Sequence, residues 1–307
     1  SVGEGFPNRF TGNTRTALVA KEDFWTVDGA CNESHVDFEI CRFGLFYPGF
    51  AAENASQGSP KALLWGDSHA RAISPAVANW LRSRNVNAAF AYKNGCPPLL
   101  AVERTDKPGA DCEGFNRNVL NELTRNKSIQ TVILHARWAL AESGERYAAE
   151  HRATYRLEST ATDGQPTFES QSEVFSHAIL ETVDTLTDQS VEVILILGLP
   201  EIGWRVPNAL TRLRLFDEPL PKIPDLESIR DRNSRVRQVT ESLAADDKVF
   251  LIDLVPKLCK PICMIEHDGA PAYADDDHIS FAFANSYLSA ALEAVAKEEL
   301  PEKIFFP

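Results

Sequence analysis

The hydrophobic and polar positions of this chain follow a repeating pattern from Lys61 onward, in which short apolar runs alternate with longer amphipathic stretches. In the amphipathic stretches apolar side chains recur every three or four residues, as at Ile73, Val77 and Leu81, which indicates helices with one buried face. Five apolar runs are short enough to be strands: Ala62–Trp65, Ala88–Tyr92, Thr131–His135, Val191–Leu197 and Lys248–Ile252.

Strands that are nearly continuous in apolar residues and alternate with helices are typical of a parallel sheet with both faces covered. The pattern therefore predicts an α/β fold, a three-layer α/β/α sandwich around a five-stranded parallel sheet. Residues 1–58 lack this rhythm and predict an irregular N-terminal arm or linker before a main domain at 59–307. Residues 139–169 and 198–224 predict two irregular insertions, of which the second is expected to form part of a site wall.

The charge balance limits the possible partners. The chain of 307 residues has 44 acidic and 31 basic side chains, a net charge of −13, so it would repel a phosphate backbone, and nucleic acid is not expected as a partner. No stretch approaches the ~18 uninterrupted apolar residues that a membrane span needs.

Six cysteines form three pairs that are close in sequence, which favours disulfides and an oxidising compartment such as the periplasm. A metal site is the alternative at the last pair, because His267 continues the four-residue spacing of these cysteines. Structural zinc usually needs a second ligand pair, and we predict no metal. The three predicted disulfides are Cys31 with Cys41, Cys96 with Cys112, and Cys259 with Cys263.

The first candidate for chemistry is Ser68, in the segment Leu64-Trp65-Gly66-Asp67-Ser68-His69-Ala70. A predicted strand ends here and a predicted helix begins, and ligands of open α/β sheets bind at such strand ends. Backbone N–H groups at the helix start could stabilise an oxyanion formed on an attacked ester. The alternative is that Asp67 or Ser68 is only a helix cap.

A serine nucleophile needs a base and a group that orients the base. The segment Asp275-Asp276-Asp277-His278 supplies both types of side chain just before the last predicted helix, although three acids also suit a solvated helix start. His135 ends the third predicted strand and is a candidate for lining a site. His69 is interpreted as local packing, with a side chain that diverges from the Ser68 hydroxyl.

Together, Gly66-Asp67-Ser68-His69 and Asp275-x-x-His278 resemble the motifs of the SGNH/GDSL hydrolase superfamily. The SGNH domain fused to bacterial acyltransferase-3 membrane proteins is similar in more detail, over about residues 60–295. That closer likeness adds Cys96-Pro97-Pro98, Val132-Ile133-Leu134-His135-Ala136-Arg137-Trp138-Ala139 and Asp277-His278-Ile279-Ser280.

The resemblance implies Ser68 as nucleophile, His278 as general base and Asp275 as the acid that orients the imidazole, although spacing alone leaves Asp276 and Asp277 open. It also implies Gly95 as an oxyanion donor. The superfamily's oxyanion Asn is missing, because this chain has His135-Ala136-Arg137-Trp138 at that place. Arg137 is therefore a candidate for a role in the site, with a structural Arg stacked on Trp138 or paired with an acid as the alternative. Trp138 is a candidate for substrate contact.

The implied function is transfer of an acyl group, most often acetyl, to a cell-surface polysaccharide such as O-antigen or exopolysaccharide. The chain would then be a periplasmic domain of an inner-membrane protein. No cofactor is expected to be bound, and an acyltransferase-3 membrane domain, in the same native chain, would deliver acetyl derived from acetyl-CoA. The alternatives are a secreted carbohydrate esterase with the same triad and a non-catalytic glycan-binding module that uses Trp138 and Trp204 as stacking platforms.

Overall fold

The computed structural model describes residues 12–20, 60–125, 127–148, 154–160, 168–301 and 304. The strands are Ala62–Gly66 (β1), Ala88–Tyr92 (β2), Val102–Arg104 (β3), Thr131–His135 (β4), Leu157–Ser159 (β5), Glu192–Ile196 (β6), Val249–Ile252 (β7), Glu266–His267 (β8) and Ala270–Pro271 (β9). The helices are Gly12–Val19 (α1), Ser68–Ser83 (α2), Cys112–Arg125 (α3), Trp138–Ser143 (α4), Gln171–Asp188 (α5), Val206–Phe216 (α6), Leu226–Arg232 (α7), Ser234–Leu243 (α8), Val255–Leu258 (α9), Phe281–Phe283 (α10) and Ser289–Glu299 (α11), with a π-helical turn at Ala284–Leu288 before α11.

The predicted five-stranded parallel sheet is confirmed, with the strand order β2-β1-β4-β6-β7. In this register Gly66, the last residue of β1, lies opposite Tyr92 on one side and His135 on the other. The carboxyl ends of three neighbouring strands therefore meet at one edge of the sheet. The turns that follow them carry most of the residues singled out from the sequence.

Two apolar layers cover the sheet, as the strand composition predicts. On β1, Leu64 belongs to the core beneath α2 and α11, whereas Leu63 and Trp65 belong to the core beneath α3, α5 and α8. Alternate side chains of one strand thus enter opposite layers. Among the helices that the structure describes, none combines the length and the apolar composition required for a bilayer crossing.

The structure differs from the sequence-based expectation in the arm and in both insertions. The arm contains α1, whose Ala17 is fully buried and whose Asn13 carbonyl accepts a hydrogen bond from Arg214 on α6. The first insertion contains β5, which pairs antiparallel with β3, and the second contains α6. Val206 and Leu210 form a short buried stripe on α6. So few buried positions do not give a recognisable helical period in the sequence.

Two predicted disulfides are confirmed, between Cys96 and Cys112 and between Cys259 and Cys263. The second bond consumes the two thiols that the alternative metal site would have needed. The predicted pair of Cys31 and Cys41 lies outside the described residues.

Candidate active site

The turn between β1 and α2 places Ser68 at the first position of a long helix. A Cβ atom on Gly66 would lie 1.9 Å from the carbonyl oxygen of His135, so only glycine allows this close approach of β1 to the end of β4. Asp67 caps the helix, because its Oδ1 accepts a hydrogen bond from the His69 N–H at 2.8 Å. The capping alternative is thus realised by Asp67, which leaves the neighbouring serine hydroxyl available for other contacts.

The structure brings Ser68, His278 and Asp275 together. Ser68 Oγ lies 2.8 Å from His278 Nε2, and His278 Nδ1 lies 3.0 Å from Asp275 Oδ2. Donation of the Nδ1 proton to Asp275 leaves Nε2 as the nitrogen that can accept the serine proton. The arrangement has the geometry of a nucleophile, a base and an orienting acid.

Asp275 also organises its own loop. Its Oδ1 accepts hydrogen bonds from the N–H groups of Asp277 and His278, at 3.0 and 2.8 Å. The second insertion packs on this loop, since the N–H groups of Ile202 and Val206 donate to the carbonyl oxygens of Asp276 and Asp275 at 3.0 Å. The insertion therefore holds the loop that presents His278.

A second acid, Asp277, faces the same imidazole nitrogen. Its Oδ1 lies 2.8 Å from His278 Nδ1, and its Oδ2 lies 2.5 Å from Arg137 Nη1. Burial opposes ionisation of Asp277, but the charge of His278 holds the pKa of Asp277 well below its usual range. Burial likewise lowers the pKa of His278, yet Asp277 and Asp275 together raise it well above that of a free imidazole.

The other two histidines near the site have different environments. The His69 side chain, interpreted from the sequence as local packing that diverges from the Ser68 hydroxyl, places its ring centroid 4.4 Å from that of His278. His135 is fully buried, and its Nδ1 lies 3.0 Å from the Ile196 carbonyl oxygen. Burial lowers the pKa of His135 to about 4, so this side chain is a neutral part of the sheet edge.

Gly95 lies in the turn after β2. The Lys93 N–H donates to the Gly66 carbonyl oxygen, and this hydrogen bond holds the turn beside the one that carries Ser68. Gly95 adopts φ +74°, and the hydroxyl of Tyr155 donates to its carbonyl oxygen at 3.1 Å. Within the described part of the chain, the N–H groups of Ser68 and Gly95 have no acceptor. Both groups are thus candidates to donate to a developing negative charge.

Arg137 and Trp138 both point into the protein. The Arg137 N–H donates to Asp67 Oδ2 at 3.2 Å, and its guanidinium pairs with two buried carboxylates, those of Asp277 and Glu201. The structure therefore favours the alternative interpretation of Arg137 as an Arg paired with acids. Trp138 is fully buried and its Nε1 donates to the Ile196 carbonyl oxygen at 2.9 Å, so it offers no face to a sugar.

Two residues near the site were missed by sequence reasoning. Glu201 is buried and bridges Arg137 to Arg232, whose Nε donates to Glu201 Oε2 at 2.8 Å. Both lie in or next to an insertion that was expected to be irregular. The only signal was a charged residue inside the otherwise apolar segment Leu197-Gly198-Leu199-Pro200-Glu201-Ile202.

A solved structure with a TM-score above 0.5 supports this architecture. The periplasmic domain of the lipopolysaccharide acetyltransferase from Salmonella ser. Paratyphi A superposes with a TM-score of 0.55 at 15% identity, over 79% of this chain and 84% of that chain. A GDSL-like lipase from Bacteroides thetaiotaomicron matches with a TM-score of 0.41 at 11% identity, over 77% of this chain and 87% of that chain. No curated protein sequence matches the chain.

The family model for the SGNH domain fused to AT3 domains matches residues 28–292. The match includes both segments that meet at the serine and the imidazole, together with the whole sheet. The chain therefore belongs to the SGNH domains that are fused to AT3 domains.

Proposed function

We propose that this domain is the periplasmic part of a membrane O-acyltransferase and moves an acetyl group onto a hydroxyl of a cell-surface polysaccharide. One observation carries the proposal: Ser68 Oγ lies 2.8 Å from His278 Nε2 while His278 Nδ1 faces Asp275. The acceptor class is suggested by the Salmonella domain that shares the fold, which belongs to a lipopolysaccharide acetyltransferase. O-antigen and exopolysaccharide are the acceptors to test first.

In the first half of the reaction His278 Nε2 takes the Ser68 hydroxyl proton as Oγ bonds to the carbonyl carbon of the acetyl donor. The carbonyl oxygen becomes an oxyanion, for which the N–H groups of Ser68 and Gly95 are the available donors. Collapse breaks the bond to the leaving group, which takes the proton from Nε2. Ser68 then carries the acetyl ester.

In the second half a sugar hydroxyl gives its proton to His278 Nε2 and attacks the acetyl ester on Ser68. Collapse returns the proton from Nε2 to Ser68 Oγ and releases the acetylated sugar. Asp275 stabilises the imidazolium in both halves and keeps Nε2 directed at the serine. An AT3 membrane domain, the partner found in this family, would supply the acetyl group from acetyl-CoA on the other side of the membrane.

A secreted carbohydrate esterase would use the same residues with water in place of the sugar. Fusion to AT3 domains in the family favours transfer over hydrolysis. In the isolated domain water remains available, so we expect weak hydrolysis of an activated acetyl ester.

The test is the intact mass of the purified domain after brief incubation with 4-nitrophenyl acetate. We expect one added acetyl group on the peptide that contains Ser68. The Ser68→Ala variant should lose the adduct and at least about 1,000-fold of the rate, because members of a triad act as a unit. Ser74→Ala is the matched control, since Ser74 lies on the same helix and its hydroxyl donates to the Arg71 carbonyl oxygen at 2.6 Å. Equal rates for Ser68→Ala and the unmodified protein would contradict the proposal.

A fluorophosphonate probe separates an enzyme from a glycan-binding module. Such probes phosphonylate only a serine whose proton a neighbouring base removes. We expect saturable labelling of Ser68 that is lost in His278→Ala, and absence of labelling at saturating probe would favour a module that only binds. Trp138 cannot serve such a module, because it is fully buried.

A further inference from the structure

A chain of four alternately charged side chains, three of them buried and the last partly buried, runs from the imidazole toward the surface. Asp277 Oδ2 lies 2.5 Å from Arg137 Nη1, the Arg137 guanidinium contacts Glu201 Oε1, and Arg232 Nε lies 2.8 Å from Glu201 Oε2. The exposed fractions of these side chains are 1% for Asp277, 6% for Arg137, 4% for Glu201 and 12% for Arg232. Buried charges cost free energy unless they are paired. These ion pairs therefore restrict the position of the Asp277 carboxylate, which lies at their inner end.

The two acids beside His278 act on it in different ways. Nδ1 carries a single proton, and Asp275 accepts it in hydrogen-bond geometry at 3.0 Å. Asp277 Oδ1 also lies 2.8 Å from Nδ1, but outside the aligned geometry in which Asp275 accepts the proton, and its Oδ2 faces Arg137. Asp275 therefore directs the ring, and Asp277 acts on it through charge.

An unbalanced carboxylate at that distance would stabilise the protonated ring and oppose uptake of the serine proton. Ser68 and His69 face His278 from α2, and Asp275 and Asp277 face it from its own loop, with Arg137 behind Asp277. His69 Nε2 lies 3.7 Å from Asp277 Oδ2. Arg137 is thus the permanent cation in direct contact with Asp277 among the described residues.

We propose that Arg137 is a positioning residue that acts on His278 through Asp277: it fixes the Asp277 carboxylate beside Nδ1 and balances its negative charge. Glu201 and Arg232 hold the guanidinium in this place from the second insertion and α7. The inference rests on the proposed function, because it takes His278 to be the group that accepts the serine proton. Arg137 stands at the position of the missing superfamily Asn. The inference gives it a role in positioning the base His278 rather than in binding the oxyanion.

The experiment compares pH profiles of Ser68 acetylation by 4-nitrophenyl acetate in the purified domain and three variants. Asp277→Asn keeps the shape but removes the charge, so the midpoint of the profile should fall by about one pH unit. Arg137→Met leaves Asp277 unbalanced, so the midpoint should rise and the rate at neutral pH should drop about tenfold. In the double variant the midpoint should return to that of Asp277→Asn, because Arg137 acts through Asp277.

Asp253→Asn is the matched control, since Asp253 forms an Asp–Arg pair with Arg237 at the same 2.5 Å distance on another part of the sheet edge. Its midpoint should equal that of the unmodified protein. An unchanged midpoint in Asp277→Asn would overturn the inference even if Arg137→Met does not fold. Loss of Ser68 as the acetylated residue would instead overturn the proposed function, so the two failures are distinguishable.

Discussion

His278 faces two carboxylates through one ring nitrogen, and this sets the sign of its pH dependence. Burial lowers the pKa of His278, but the charges of Asp277 and Asp275 raise it above the ~6.5 of an unperturbed imidazole. The form that accepts the serine proton is the neutral ring, which forms only as the pH rises through this raised pKa. We expect the rate of Ser68 acetylation to increase with pH beyond 7.

Single-turnover rates between pH 5 and 10 would check this expectation, with release of 4-nitrophenol corrected for the reaction in buffer. A plateau that is reached already near pH 6.5 would contradict it. Asp275→Asn offers a second comparison, because this change removes the acid that orients the ring and should reduce the rate at every pH.

The backbone at Gly66 leaves no room for a side chain. A methyl group in Gly66→Ala would meet the His135 carbonyl oxygen at 1.9 Å, and neither backbone can move without breaking the β1–β4 pairing. We expect a loss of about 3 kcal/mol or more in the free energy of unfolding, measured by urea titration. In Gly109→Ala no atom lies within 4 Å of the new methyl, so only its φ of +77° carries a cost, of about 1 kcal/mol. Equal losses in the two variants would argue against the close approach.

The residue types and their places at a strand end and before a helix made Ser68 and His278 candidates, whereas only the resemblance to the family's D-x-x-H motif selected Asp275. They could not separate the contributions of the two acids, since Asp275 and Asp277 both reach Nδ1 and only coordinates show which one is aligned. Trp138 was misjudged because an aromatic residue after a strand has the same appearance in a sequence whether it faces solvent or the core.

At the level of the helix, Asp67 links the start of α2 to the turn after β4. Its two oxygens accept from the N–H groups of His69 and Arg137. Asp67→Ala removes the cap and leaves a buried N–H without an acceptor, so we expect a loss of about 1 to 2 kcal/mol in stability and slower acetylation of the adjacent Ser68.

Ser170→Ala is the matched control, because Ser170 caps α5 through the N–H of Glu173 far along the chain from Ser68. It should cost less stability, because its capping hydrogen bond is exposed to solvent, and it should leave the acetylation rate unchanged. Denaturation curves would measure the loss of each helix cap. Adduct rates would show whether Asp67 also positions the nucleophile. Equal acetylation rates for both variants would remove the link to the site.

The predicted strands were confirmed because near-continuous apolar runs that are buried on both faces have few other interpretations. The helices α1 and α6 were missed for the opposite reason. Only Ala17 is buried on α1, and α6 buries Val206, Pro207 and Leu210 within a segment whose prolines suggested a loop. Short helices that depend on contacts with each other leave little periodic signal.

For the whole molecule, the two described disulfides should differ in effect. The Cys96–Cys112 bond closes 16 positions and the Cys259–Cys263 bond closes 4, for which loop entropy gives roughly 3 and 2 kcal/mol. We expect the Cys96→Ala/Cys112→Ala variant to lose more stability than the Cys259→Ala/Cys263→Ala variant. It should also acetylate more slowly, because Cys96 adjoins Gly95. Urea titrations and adduct rates test both points, and the reverse order of stability would contradict the loop argument.

The serine and the imidazole that meet in this fold are 210 positions apart in the chain. The chain between them contains every strand of the five-stranded sheet except β1, so a fragment that ends before His278 or begins after Ser68 cannot contain the pair. Under the proposed function, hydrolysis of an acetyl ester would therefore report that the two parts of the chain have folded together. Two separately expressed halves, divided between α5 and β6, should each be inert and should gain activity only when they reassemble.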